Sequence, residues 1–274
     1  MSERVRGTLG GATARLTGLS DTPRLDAELL MAHALGVSRD ALLLTHLDDP
    51  APDSFAALLA RRSEGEPVAY ITGTRDFWTI RLAVRPGVLI PRPDSETLIE
   101  AAVRHFGAAG PGRVLDLGTG SGALLLAALD QWPAARGLGV DRSPDALAIA
   151  RDNAERLGMG ARAEFRQADW VEGLIDTYDL ILCNPPYIED HAALPRDVAA
   201  HEPAGALFAG ADGLDAYRAL VPKMGRLIAP GGIALLEIGA TQAAAVRALI
   251  AREGLESELF QDLGGRDRCV AVSR

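Results

Sequence analysis

The chain predicts an α/β fold, a doubly wound and mostly parallel sheet of seven strands preceded by a small helical bundle and a linking β-hairpin. Three observations carry this expectation. From about residue 94 onward, apolar runs of strand length alternate with segments of helical spacing, the pattern of a parallel sheet with helices on both faces. The first of these runs ends in a glycine-rich turn, Gly118-Thr119-Gly120-Ser121-Gly122, which opens a helix. Residues 1–75 lack the alternation and read as short amphipathic helices.

In the first 75 residues, Leu25, Glu28, Leu29, Ala32, His33 and Leu35 share helical spacing, and Gly36 is a stop. Ser38-Arg39-Asp40 starts a second helix through Leu42, Leu43 and Leu44, and Asp53 starts a third through Phe55, Leu58, Leu59 and Arg62. Residues 76–93 are expected to form the hairpin, with Phe77–Val84 as one strand, Arg85-Pro86-Gly87 as the turn and Val88–Ile90 as the return. The third domain spans 94–274, with strands at Arg113–Leu117, Gly137–Val140, Arg162–Arg166, Tyr178–Cys183, Gly232–Ile238, Glu256–Gln261 and Arg268–Val272. Ala123–Leu129, Asp145–Leu157 and Gln242–Arg252 have the spacing of intervening helices. No helix separates the last two strands, so they are expected to pair antiparallel at one edge.

Composition limits function. A net charge of −9, with eight arginines against ten acids in residues 1–75, opposes a sequence-independent grip on nucleic-acid phosphates. The single lysine, Lys223, reflects genome base composition and not mechanism. Cys183 and Cys269 both lie in apolar runs and read as buried, inert thiols of a reducing cytoplasm. The start, MSERVRGTLGG, lacks the apolar core of a leader, and no apolar run is long enough for a membrane span. His33, His46, His105, His191 and His201 lack metal-ligand spacing, so no metal is expected and they read as structural or surface residues.

Acids stand at three strand ends. Asp116 precedes the glycine turn, and GxGxG replaces the GxGxxG that cradles a dinucleotide pyrophosphate. A carboxylate at that point suits a cationic ligand group. Asp141 ends the next strand, where an acid accepts from ribose hydroxyls, although it also has the placement of a cap before Arg142-Ser143-Pro144. Asp169 and Trp170 follow the third, placed for an adenine amino group and its ring. Together these point to S-adenosylmethionine.

Asn184-Pro185-Pro186-Tyr187 follows the strand Tyr178–Cys183, at the sheet edge where open α/β folds bind ligands. Two prolines donate no backbone hydrogen bonds and fix φ. The stretch therefore offers a stiff row of acceptors, the Asn184 amide oxygen and the Pro185 carbonyl, suited to a planar NH2 group. Tyr187 is expected to stack on the flat group that carries it. Methyl transfer to nitrogen is the leading chemistry for such a site.

These motifs resemble the class I methyltransferases, whose sheet is Rossmann-like, and more specifically the PrmC/HemK protein-glutamine methyltransferases that modify peptide chain release factors. The resemblance covers nearly the whole chain. It includes Leu89-Ile90-Pro91-Arg92-Pro93-Asp94-Ser95-Glu96, DLGTGSGA, NPPYI, His201-Glu202-Pro203, Gly210-Ala211-Asp212-Gly213-Leu214, and Glu237-Ile238-Gly239 with Gln242. Ser95 departs from the threonine often found in the family but keeps the hydroxyl. The resemblance implies that Asn184, Pro185, Pro186 and Tyr187 hold the glutamine amide of a Gly-Gly-Gln loop, with Asn184, Pro185 and Tyr187 as the catalytic set. It implies that Gly118, Thr119, Gly120, Ser121, Gly122, Asp141, Trp170 and Asn184 line the S-adenosylmethionine site, to which the strand-end reading adds Asp116 and Asp169, with S-adenosylhomocysteine as product. It implies a cytoplasmic monomer with release factors as partners, no direct nucleic-acid binding, and a substrate-recognition role for residues 1–75. Arg92 and Asp94, just before a helix, are expected to close over the cofactor or the substrate loop. Two alternatives remain open at this point: methylation of an exocyclic base amine in DNA or RNA, since adenine N6 is also a planar NH2, and a silent methyltransferase fold that only binds.

Overall fold

The computed structural model describes residues 3–274. The expectations that touch Met1 and Ser2 lie outside the described residues. The chain divides into two units. One contains the residues up to Thr74 together with Leu194–His201; the other contains Arg75–Ala193 and Glu202–Arg274. The first unit is thus discontinuous, and the sheet domain expected over 94–274 is interrupted by a segment that belongs to the first.

The first unit is helical: α1 Val5–Leu16, α2 Pro23–Leu35, α3 Arg39–Thr45, α4 Ser54–Ser63 and α5 Val68–Thr72. Gly36 ends α2 at φ 69°, where glycine escapes the Cβ penalty, and the Ser38 hydroxyl accepts from the Ala41 amide to cap α3. Val5, Leu9, Leu30, Met31, Leu42, Phe55 and Leu59 fill its core. Its buried acids are matched. Asp26 accepts from Arg62 Nε at 2.7 Å, from Ser20 at 2.7 Å and from Thr22 at 3.0 Å. Glu28 pairs with Arg24 and, at 2.7 Å, with Arg39. Burial pushes the Glu28 carboxyl up, but these two guanidinium groups outweigh it and hold it below its ordinary value.

The hairpin sits earlier than expected. Its strands are β1 Thr74–Phe77 and β2 Ile80–Ala83, joined by Trp78-Thr79, and residues 84–92 form no strand. Trp78 takes φ 53°, so a bulky residue occupies the left-handed position usually marked by glycine. The Glu96 carboxylate accepts from the Trp78 amide at 2.9 Å and Asp130 accepts from the Thr79 hydroxyl at 2.6 Å, which holds this turn. The Arg85-Pro86-Gly87 signal marks a bend, not the hairpin loop.

The second unit continues with α6 Glu96–Phe106, β3 Arg113–Leu117, α7 Ala123–Gln131, β4 Arg136–Asp141, α8 Pro144–Arg156, β5 Ala163–Gln167 and β6 Tyr178–Cys183. The short helix α9 Arg196–His201 lies in the segment assigned to the first unit. Then follow α10 Asp215–Met224, β7 Ile228–Glu237, α11 Ala243–Arg252, β8 Glu256–Gln261 and β9 Asp267–Ser273. The seven-stranded sheet has the order β5-β4-β3-β6-β7-β9-β8. The pairs from β5 to β7 are parallel, whereas β9 runs antiparallel to both β7 and β8. Alternation along β6 sends Leu180 and Leu182 into one apolar layer with Leu98, Leu125 and Leu129. Ile181 and Cys183 enter the other, with Tyr217, Leu220 and Ile250. The strand order reverses about β3, with β4 on one side and β6 on the other, so the crevice beyond their carboxyl ends is the position for a ligand.

Candidate active site

That crevice holds a cavity of about 540 Å³, within the usual range for a small-molecule site. The lining includes Gly118, Gly120, Asp141, Asp169, Trp170, Asn184 and Pro186. The glycine turn after β3 is fixed from below. The Gly118 and Thr119 amides donate to Val140 O at 2.8 and 3.0 Å, and Gly118 adopts φ 73°. A Cβ there would come within 3.4 Å of the Trp170 ring, so glycine lets the indole close over the turn. Trp170 itself takes φ 51°.

Asp116 lies beneath the turn and is 1% exposed. Its Oδ2 accepts from the Thr119 hydroxyl at 2.6 Å and the Leu125 amide at 3.3 Å, while Oδ1 has no partner. Burial pushes this carboxyl up to about 7. Asp116 does not itself line the cavity, but its orphaned oxygen beneath the turn is an acceptor of the kind that the ammonium of S-adenosylmethionine would satisfy. Asp141 braces the turn and the start of the next helix from the cavity wall. Its Oδ2 accepts from the Gly120 amide at 2.9 Å and its Oδ1 from the Ser143 amide at 2.9 Å, yet it still lines the cavity. The helix cap proper is Ser143, which accepts from the Ala146 amide. Thr119, Ser121 and Gly122 shape the turn without lining the cavity; the Ser121 carbonyl accepts from Asn153 at 2.9 Å.

The Asn-Pro-Pro-Tyr stretch begins at the end of β6. Asn184 lines the cavity, and its Nδ2 donates to the Ser95 hydroxyl at 3.0 Å. Among the described residues no hydrogen bond engages its Oδ1. Pro186 lines the cavity, whereas Pro185 is buried and does not. Tyr187 is also absent from the lining. Its hydroxyl donates to Glu237 Oε1 at 3.1 Å, and its carbonyl accepts from Gln242 at 3.0 Å. A Cβ on Gly213 would come within 2.3 Å of that same carbonyl, so glycine is required where the two loops meet.

Arg92 and Asp94 do not line the cavity. Arg92 pairs with the buried Glu202, which also accepts from the Ile90 amide at 3.1 Å. Asp94 pairs with Arg268 at 3.1 Å and Arg266 at 3.3 Å. Both are therefore engaged in structural pairs. Sequence reasoning assigned no role to Glu237, which is 1% exposed at the end of β7, or to Phe208 and Leu89, which help line the cavity. Glu237 had a readable signal: it is a fourth acid at the carboxyl end of an apolar strand, like Asp116 and Asp141.

Residues 8–73 match the PrmC N-terminal domain and residues 111–260 a methyltransferase domain. The release factor glutamine methyltransferase of Rhodospirillum rubrum is 45% identical over 93% of this chain and 80% of its own. That of Cereibacter sphaeroides is 44% identical over 98% of both. Among solved structures, a methyltransferase from Pyrococcus furiosus superposes with a TM-score of 0.55 over 79% of this chain and 97% of its own, at 16% identity, a likeness of fold alone. With near full-length identity above 40% and both domains in place, the chain belongs to the release factor glutamine methyltransferase (PrmC/HemK) family of S-adenosylmethionine-dependent enzymes.

Proposed function

We propose that this enzyme methylates the side-chain amide nitrogen of the glutamine in the Gly-Gly-Gln loop of class 1 peptide chain release factors. The observation that carries this is Asn184, whose NH2 is occupied by Ser95 and whose carbonyl oxygen is left free at the cavity wall. A free carbonyl oxygen accepts one N–H of the glutamine amide, and the Pro185 carbonyl accepts the other. An amide nitrogen is a weak nucleophile because its lone pair is delocalised. Two fixed acceptors favour its pyramidal form and aim the lone pair at the methyl carbon, so positioning and electrostatics supply the main catalytic terms. When bound, S-adenosylmethionine supplies a methyl carbon made electrophilic by its sulfonium. Asp116 would hold the ammonium of that ligand, Asp141 its ribose hydroxyls, and Asp169 with Trp170 its adenine. Tyr187 is tied to Glu237 and Gln242, and its task is to hold the loop.

The helical unit is assigned to the body of the release factor. Its exposed Leu19, Leu25 and Leu44 suit a protein surface, and its acidic balance does not suit phosphates. The enzyme acts as a cytoplasmic monomer in this reading. Its two cysteines are buried free thiols, and no helix among the described residues is long and apolar enough to cross a membrane. Radiolabelled methyl transfer to purified release factor tests the assignment. Label should enter the parent factor and not one carrying Gln→Ala in its Gly-Gly-Gln loop; equal label in both would refute it.

A further inference from the structure

We propose that Glu237 is a positioning residue that acts through Ser95 to fix which end of the Asn184 amide faces the cavity. The proposal rests on the reading of Asn184 given above. An ionised carboxylate only accepts hydrogen bonds, whereas a hydroxyl has one proton to give and lone pairs to receive. Tyr187 donates to Glu237 Oε1 at 3.1 Å, and the buried Ser95 hydroxyl faces the same carboxylate and stabilises its charge. A Ser95 proton turned toward Glu237 leaves Oγ able only to accept from Asn184. The 3.0 Å contact is therefore filled by Nδ2, and Oδ1 is presented to the substrate. The two ends of an asparagine amide have nearly the same shape, so hydrogen-bond polarity and not packing must select between them. The negative charge of Glu237 makes that selection.

Glu237 is not built as a stability pair. Its Oε2 is buried without a partner at full hydrogen-bonding geometry. The groups facing it are Asp94 and Ser95 before α6, Cys183 at the end of β6, Tyr187 beyond it, Tyr217 on α10, and Arg268 and Cys269 on β9. Arg268 is the one cation in that set, and it is shared with Asp94 and Asp262. Burial accordingly pushes the Glu237 carboxyl up to about 7. A proton on Glu237 can be donated to Ser95, which then donates to Asn184 and reverses the relay. The acceptor offered to the glutamine NH2 becomes a donor.

The test measures single-turnover methyl transfer to release factor at saturating cofactor, which removes any effect of cofactor affinity. The parent rate should fall as pH drops through about 7. E237Q should transfer methyl groups about 100-fold more slowly, with a flat profile in that range, because a misplaced substrate amide is costly. Cofactor affinity should be unchanged, and the Asn184 side-chain amide resonances should shift. S95A should lose rate similarly, and S95T, which restores the hydroxyl, should recover most of it. Parental rate and pH profile in E237Q, unmoved Asn184 resonances, or equal rates in S95A and S95T would each overturn the proposal. Should the parent itself fail to methylate release factor, the substrate reading fails. The Asn184 resonances of E237Q then decide the relay independently.

Discussion

The two units treat buried acids in opposite ways. In the helical unit, Asp26 and Glu28 are enclosed by Arg62, Arg24 and Arg39 with every carboxylate oxygen engaged. In the sheet unit, Asp116 and Glu237 stand at strand ends, each with one orphaned oxygen and each pushed up to about 7 by burial. The difference separates uses of charge. A matched acid fixes a fold, while an unmatched one is left ready for a ligand or for a neighbour whose orientation it controls.

The strongest way to break this contrast is in the helical unit. Arg62→Ala strands Asp26 in a buried position and should lower stability by about 3–5 kcal/mol, since losing one partner of a buried pair leaves an uncompensated charge. Cofactor affinity should survive. A loss below about 1 kcal/mol in urea unfolding would mean that the pair is screened like a surface one.

Next comes the sheet unit, where activity and not stability should fall. Asn184→Ala removes the free acceptor and should slow methyl transfer by about 2.7–4 kcal/mol, roughly 100-fold or more, by analogy with other preorganised transition-state contacts. Asn184→Asp keeps an acceptor but adds charge beside the sulfonium, so it should retain cofactor and lose turnover. Parental single-turnover rates in both variants would reduce Asn-Pro-Pro-Tyr to a structural turn.

Asp141→Ala should weaken S-adenosylmethionine binding by about 1.5–3 kcal/mol, or roughly 10–150-fold. Titration calorimetry with unchanged affinity would leave Asp141 as a brace for Gly120 and Ser143 alone.

The smallest effect, and the one most specific to the comparison, is in pH. Asp116 must be charged to hold an ammonium, so cofactor affinity should fall as pH drops through about 7, and Asp116→Asn should flatten that dependence. Stability without ligand should move the other way. A carboxyl raised to about 7 contributes stability that is complete below its unfolded value and lost as pH rises through about 7. Glu28, held low, contributes stability above its unfolded value that is lost as pH falls through its folded one. Urea unfolding of Asp116→Asn with the parental pH slope would count against this account.

Much of this was legible from pattern. The bounds of β3 and β6 follow directly from apolar runs, and Gly36 and Ser38 act as the stop and cap their types suggest. The hairpin was misplaced because its turn carries Trp78 and no glycine, while Arg85-Pro86-Gly87 supplied a false signal. Helix α1 was missed because three glycines depress its propensity, although Val5, Leu9, Ala12 and Leu16 keep a buried stripe. The role of Glu237 was hidden for a different reason. It depends on Ser95, Asn184 and Tyr187 converging from separate elements, which spacing within one segment does not encode.

The discontinuity of the helical unit has a consequence for dissecting this protein. A chain shortened to start at Arg75 would not be a clean catalytic half. It would still carry Leu194–His201, now stripped of Arg62, which reaches Asp197 at 3.5 Å. That orphaned graft departs just after the Asn-Pro-Pro-Tyr loop and returns at Glu202, the acid that holds Ile90 and Arg92. Domain exchange between relatives therefore has to transplant two separate pieces of sequence, and a single crossover near residue 75 would yield mismatched chimeras.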